Sequence, residues 1–166
     1  MIIIYVILSF ILDGFMSNYI NNSLTNYSYF NTIYSLISLV IIYNYFENDK
    51  KYLSFLLVTS VLFDIVYTST FPVNTLIFLI IYFLIKKINY YVPNNYLTIN
   101  IKTVLCITIY HILSYFILLF IDTYNYPLKV LWIIISRNII MTIIYTTISY
   151  LIFKNYYFKA YKKKIK

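Results

Sequence analysis

The chain reads as all-α, an integral membrane six-helix bundle. Three observations predict this. Hydrophobic residues make up 62% of the 166 positions and charged residues only 11%, whereas soluble domains sit near about 45–50% and about 25%. Apolar runs of about 18 or more residues recur along the whole length, each long enough to cross a bilayer core of roughly 30 Å. Lysines are rich in every second connecting segment and nearly absent from the others.

The elements follow in order. Spans are predicted at 2–20, 28–46, 52–70, 73–88, 99–121 and 128–153, together a transmembrane domain over 1–153. Polar "SNYINNSLTNYS" (17–28) separates the first two, and charged "ENDKK" (47–51) closes the second. The third carries Asp64 and stops before Pro72, whose missing N–H is harmless at a helix start. The fourth is the shortest, at the lower limit for crossing. "KKINYYVPNN" (86–95) holds Pro93, and "DTYNYP" (122–127) holds Pro127. A basic tail follows over 154–166.

Orientation comes from the lysines, because cytoplasmic loops retain positive charge. Lys50 and Lys51 follow span 2; Lys86, Lys87 and Lys102 flank the loop after span 4; six lysines follow span 6. The loops after spans 1, 3 and 5 hold only Lys129. Both termini are therefore expected in the cytoplasm, and the tail with them. The net charge of +8 is accounted for by topology and by attraction to the lipid bilayer; no basic domain remains to bind nucleic acid. The first span has neither a basic n-region nor a small-residue cleavage site, so it is expected to be retained. The sequons at 21–23 and 26–28 lie in an Asn/Ser-rich loop that produces such matches by chance.

The 22 tyrosines and 13 phenylalanines accompany abundant Ile, Asn and Lys, as A/T-rich codon usage produces. Tyrosines near span ends still serve as interface anchors. One cysteine, Cys106, allows no disulfide framework, and one histidine, His111, reads as a packing residue. No metal site and no cofactor are expected. One glycine, Gly14, excludes Gly-rich phosphate loops and GxxxG packing. Asp13-Gly14 matches the opening of a phosphatidyltransferase signature, but "FMSN" follows in place of its Ala-Arg and later acids. No Ser/His/Asp set with a nucleophile elbow is present. The chain is expected not to be an enzyme.

Four ionisable groups lie within or beside the apolar runs: Asp13, Asp64, Asp122 and Arg137. A charge at mid-span costs at least about 2.5–3.5 kcal/mol, so it normally faces the bundle and has a partner. From the helix rise, Asp64 lies roughly 9 Å from the outer end of its span, Asp13 roughly 10 Å and Arg137 roughly 14 Å. Asp122 sits at the outer interface beside Lys129. The shared depth predicts an intramembrane polar network of Asp13, Asp64 and Arg137 joining spans 1, 3 and 6, with Arg137 forked to one carboxylate. A proton or ion relay is the functional alternative, although the inner half supplies no titratable chain.

"LFDIVYTSTFPVNTLIFLIIYFLIKK" (62–87) resembles the best-marked segment of the MreD family of rod-shape-determining membrane proteins. There a helix ends in an acid-bearing stretch such as "YDIVYTG", and a Gly-x-x-x-Leu step opens the next helix. Asp64, Ile65, Val66, Tyr67, Thr68 and Leu76 match; Ser69 and Pro72 replace family glycines. "FILDG" (10–14) resembles the acid-bearing first helix of Gram-positive members, and "SRNIIMTIIYTTISYLIFK" (136–154) their final helix. The resemblance covers nearly the whole chain. It implies a fold similar to the substrate-binding subunits of energy-coupling-factor transporters. It also implies a non-enzymatic scaffold of the bacterial cell membrane, binding an MreC-like protein and, indirectly, MreB, RodA and a penicillin-binding transpeptidase in sidewall peptidoglycan synthesis. Asp64, Tyr67, Pro72 and Leu76 would carry partner binding. The alternative is a vitamin-binding subunit of such a transporter, although the small-residue docking motifs are missing here.

Overall fold

The computed structural model describes residues 2–21, 32–46, 48–68, 71–92, 95–121 and 127–164, and of residues 17–21 and 154–164 the backbone alone. Six α-helices run in order: α1 (Ile2–Asn21), α2 (Tyr34–Ile42, continued by a 3-10 turn at Tyr43–Tyr45), α3 (Asp49–Tyr67), α4 (Val73–Tyr91), α5 (Tyr96–Phe120) and α6 (Leu128–Lys164). No strand occurs among the described residues. Among the described residues three helices are long and apolar enough to cross a membrane: α4, α5 and residues 128–153 of α6. Residues 2–16 and 34–45 form shorter apolar stretches. The predicted loop 17–28, Ser69, Pro93 and Asp122 lie wholly or largely outside the described residues or side chains.

Helix ends depart from the predicted spans for local reasons. α3 starts at Asp49, three residues early, because the Asn48 side chain accepts from the N–H of Lys50 at 2.9 Å and caps it. α5 starts at Tyr96, where the Thr98 hydroxyl accepts from the N–H of Asn95 at 2.8 Å. α4 reaches Tyr91 and is not short; it spans 19 residues. α6 runs past Phe153 without a break, 37 residues in all, or about 55 Å at the helical rise.

Each long helix buries one stripe. On α4 the buried positions are Asn74, Ile77, Phe78, Ile81, Tyr82 and Ile85, the i, i+3, i+4 spacing of a single face. On α5 they run Ile99, Lys102, Thr103, Cys106, Ile107, Tyr110, His111, Ser114 and Leu118, with Tyr115 beside them. α2 differs, since all nine of its residues are buried. A helix apolar all round belongs in the middle of a core, and α2 occupies it. It packs on α1, α5 and α6, and the Tyr52 hydroxyl of α3 donates to its Leu39 carbonyl at 3.0 Å.

The other five helices form a ring around it. α3 packs on α4, α4 on α5, and α5 on α6. α6 meets α1 through Tyr5 Oη donating to Ser149 Oγ at 2.6 Å and through Ser9 Oγ and Tyr145 Oη at 2.7 Å. α1 meets α3 where Tyr67 Oη donates to the Phe10 carbonyl at 2.5 Å. A Cβ on Gly14 would lie 2.8 Å from that hydroxyl and 2.9 Å from a ring carbon. The chain's one glycine thus stands where a tyrosine is pressed against a helix backbone.

Helices consecutive in the chain run antiparallel, which gathers Lys50, Lys51, Lys86, Lys87 and Lys102 at one end. Lys86 pairs with Asp49 at 2.8 Å across the α3–α4 hairpin. Lys102 Nζ donates to Asn89 Oδ1 at 2.5 Å and to the Val92 carbonyl at 3.2 Å, at the C-terminus of α4, where the helix dipole favours a cation.

Candidate functional site

At the opposite, lysine-poor end lie Asp13 and Asp64, the two acids of the apolar runs of α1 and α3. Helices α2 and α4 start without a cap of their own, since Ile33 and Pro72 occupy the N-cap positions and make no side-chain bond to the first turn. The first N–H groups of a helix have no intrahelical acceptor. Each receives one from the preceding helix. Asp13 of α1 accepts from the N–H of Tyr34 through Oδ1 at 2.6 Å and from that of Ser35 through Oδ2 at 2.9 Å. Asp64 of α3 accepts from the N–H of Asn74 at 3.1 Å and of Thr75 at 2.8 Å.

Asp64 is fully buried and collects side-chain donors as well. Its Oδ1 takes Asn74 Nδ2 at 2.9 Å and Thr68 Oγ1 at 3.1 Å; its Oδ2 takes Thr75 Oγ1 at 2.6 Å. A buried carboxylate needs this many charge-assisted bonds to offset desolvation, and the positive end of the α4 dipole adds to them. Tyr110 of α5 donates to Asn74 Oδ1, so three helices meet through this carboxylate and its first neighbour.

A second polar cluster ties α5 and α6 to the entrance of α2. Thr32 Oγ1 donates to Asn138 Oδ1 at 2.7 Å, and Asn138 Nδ2 lies 2.8 Å from His111 Nε2. With Oδ1 accepting, Nδ2 donates, and Nε2 of the imidazole is the acceptor. His111 is a packing histidine in a hydrogen-bonded core, as its isolation in the sequence predicts.

The predicted network of Asp13, Asp64 and Arg137 is corrected in one member. The two acids share an end of the bundle, but Arg137 joins neither. Its side chain is exposed on α6, and the one salt bridge among the described residues is that of Asp49 with Lys86. The compensation sought in a guanidinium comes from helix N-termini instead. Of the four positions the resemblance assigns to partner binding, Asp64 is internal, and Tyr67 bonds to α1. Pro72 and Leu76 are exposed, Leu76 at 53%.

Sequence reasoning missed Asn74, Thr75, Tyr110, Asn138 and Thr32. For Asn74 and Thr75 a signal exists: they lie two and three residues after Pro72, where the free N–H groups of a new helix are due. Asp13 lies 21 positions before Tyr34, and no local pattern connects them. Among the described residues no three His, Cys, Asp or Glu side chains cluster as metal ligands would. No protein-family model, no curated protein and no solved structure matches the chain.

Proposed function

We propose that the chain is a six-span membrane scaffold, MreD-like, that presents the α3–α4 turn to a membrane partner of the cell-elongation machinery. One observation carries the reading: five hydrogen bonds from Thr68, Asn74 and Thr75 to the Asp64 carboxylate tie the end of α3 to the start of α4, beside exposed apolar side chains. Phe71 (62% exposed), Pro72 and Leu76 stand on the surface, with Ile65 and Val66 of α3 beside them. A helix start held in this way loses little entropy on docking. Unpaired backbone N–H groups at membrane depth are tolerated only where protein or water satisfies them, and Asp64 satisfies those of Asn74 and Thr75.

The short α2 is compatible with six crossings. It faces other helices on every side, so it need not present a full apolar length to lipid. The lysine-rich end is the cytoplasmic one in this reading, and both termini lie there. Buried carboxylates and hydroxyls in the bundle are occupied in joining helices, as a scaffold requires. An MreC-like protein is the expected partner, with MreB, RodA and a penicillin-binding transpeptidase reached through it.

The test is co-purification in detergent with the MreC-like protein of the same genome. Native chain and Asp49→Asn should retain it; a Phe71→Ala/Leu76→Ala variant, which leaves every Asp64 bond in place, should lose most of it. A native chain that never retains this partner but carries a vitamin through purification would favour the transporter-subunit alternative.

A further inference from the structure

Arg137 is the one arginine of the chain and stands exposed on α6. Its surroundings on that helix are apolar and also exposed: Ile133 at 58%, Ile140 at 62% and Ile144 at 50%. Ser136 is beside it, but its hydroxyl is bonded back to its own helix, donating to the Ile133 carbonyl at 2.9 Å. A cation on an apolar, lipid-level face is costly unless paired. We propose that this face of α6 docks a transmembrane helix of another protein, one that carries a single carboxylate at the level of Arg137.

Two other sources of negative charge fit less well. The first is lipid phosphate. Arg137 lies nine residues inside the start of α6 at Leu128, about 14 Å along the helix axis. Helical side chains lean toward the N-terminus by about one turn, which brings the guanidinium to the level of Ile133. That is still five residues, or about 8 Å, below the helix start. The second is another copy of this chain. Of its described acids, Asp13 and Asp64 are buried and occupied by helix N-termini, and Asp49 lies at the opposite end. Among the described residues a copy therefore offers no carboxylate at this height.

The inference rests on the membrane-spanning reading, and the experiment separates the two. The chain's single tryptophan, Trp132, is 71% exposed, five residues before Arg137 on the same helix, and serves as a built-in reporter. The full chain is reconstituted in phosphatidylcholine vesicles. Two dansyl-labelled, leucine-rich transmembrane peptides of about 21 residues are then titrated, one with a central Asp and one with a central Asn. Energy transfer from Trp132 should show the Asp peptide bound roughly tenfold more tightly, the scale of a polar contact between helices in a bilayer. Arg137→Gln should abolish that preference and leave Asn-peptide binding unchanged. Arg137→Glu should transfer the preference to a central-Lys peptide. Equal affinity for the Asp and Asn peptides in the native chain overturns the pairing. So does an Arg137-dependent enrichment of brominated phosphatidylglycerol around Trp132 without any peptide preference, which assigns the guanidinium to lipid phosphate. Absence of Trp132 quenching by acyl-brominated lipid overturns the membrane reading and this proposal with it.

Discussion

Asp64 and Arg137 differ in what surrounds them, and substitution separates their roles. Asp64→Asn puts an amide where two backbone N–H groups and two hydroxyls converge. It should lower stability in detergent by about 2–3 kcal/mol, the loss of a charge-assisted bond with its partners left buried. Arg137→Gln, on an exposed site, should stay within about 0.5 kcal/mol. Thermal unfolding of both variants checks this, and equal losses would restore the Arg–Asp pairing that the geometry rejects. Gly14 sets two effects against each other. Alanine gains about 1 kcal/mol of helix propensity, but its Cβ would displace Tyr67 from the Phe10 carbonyl. Gly14→Ala should therefore be destabilising in the native chain and stabilising in a Tyr67→Ala background. A coupling below about 0.5 kcal/mol in that double-mutant cycle would mean that Tyr67 yields freely.

Among the elements, α2 and α4 share a device: a helix that begins without its own cap and borrows a carboxylate from its predecessor. Asp13→Asn should speed hydrogen exchange at the amides of Tyr34 and Ser35 while leaving the first turn of α4 protected. Exchange that rises equally in both helices would show global loosening and not a lost cap. At the other end, the Lys86 ammonium bonded to Asp49 holds that carboxyl below its ordinary value of 3.8. A depressed acid contributes stability that is fully present above the unfolded value and lost as pH falls through the folded one. The acidic limb of the stability profile should therefore flatten slightly in Asp49→Asn, and only slightly, because both side chains are about half exposed and solvent screens the pair. Much of this level was legible in advance. Apolar runs marked five of the six helices to within a few residues at most ends, and Asn48 explains the early start of α3. The borrowed caps were not legible, because Asp13 and Tyr34 come together only when α1 and α2 pack. An acid within an apolar run announces that a partner exists; it does not say whether the partner is a guanidinium or a backbone.

For the molecule as a whole, charge is segregated along the bundle axis. Lys50, Lys51, Lys86 and Lys87 stand exposed at one end, and Asp13 and Asp64 are buried toward the other. In a Cys106→Ser background, a cysteine at Lys51 or Lys87 should resist a membrane-impermeant thiol reagent added to intact cells, whereas one at Leu128 should react. External labelling at Lys51 would invert the orientation. The segregation could be read from lysine spacing alone. The central position of α2 was not read in advance, although per residue α2 is the most apolar of the six helices, because the predicted span 28–46 averaged its core with the polar residues before it.

That central position has a consequence for how the chain is made. The ring around α2 is completed by the first and last helices, joined through Tyr5, Ser9, Tyr145 and Ser149. Synthesis delivers α6 after the other five, so until the ribosome has released that segment one flank of α2 has no protein beside it. Nascent chains ending before Tyr145 are then unfinished barrels with an open stave. Those extended past Ser149 can latch shut.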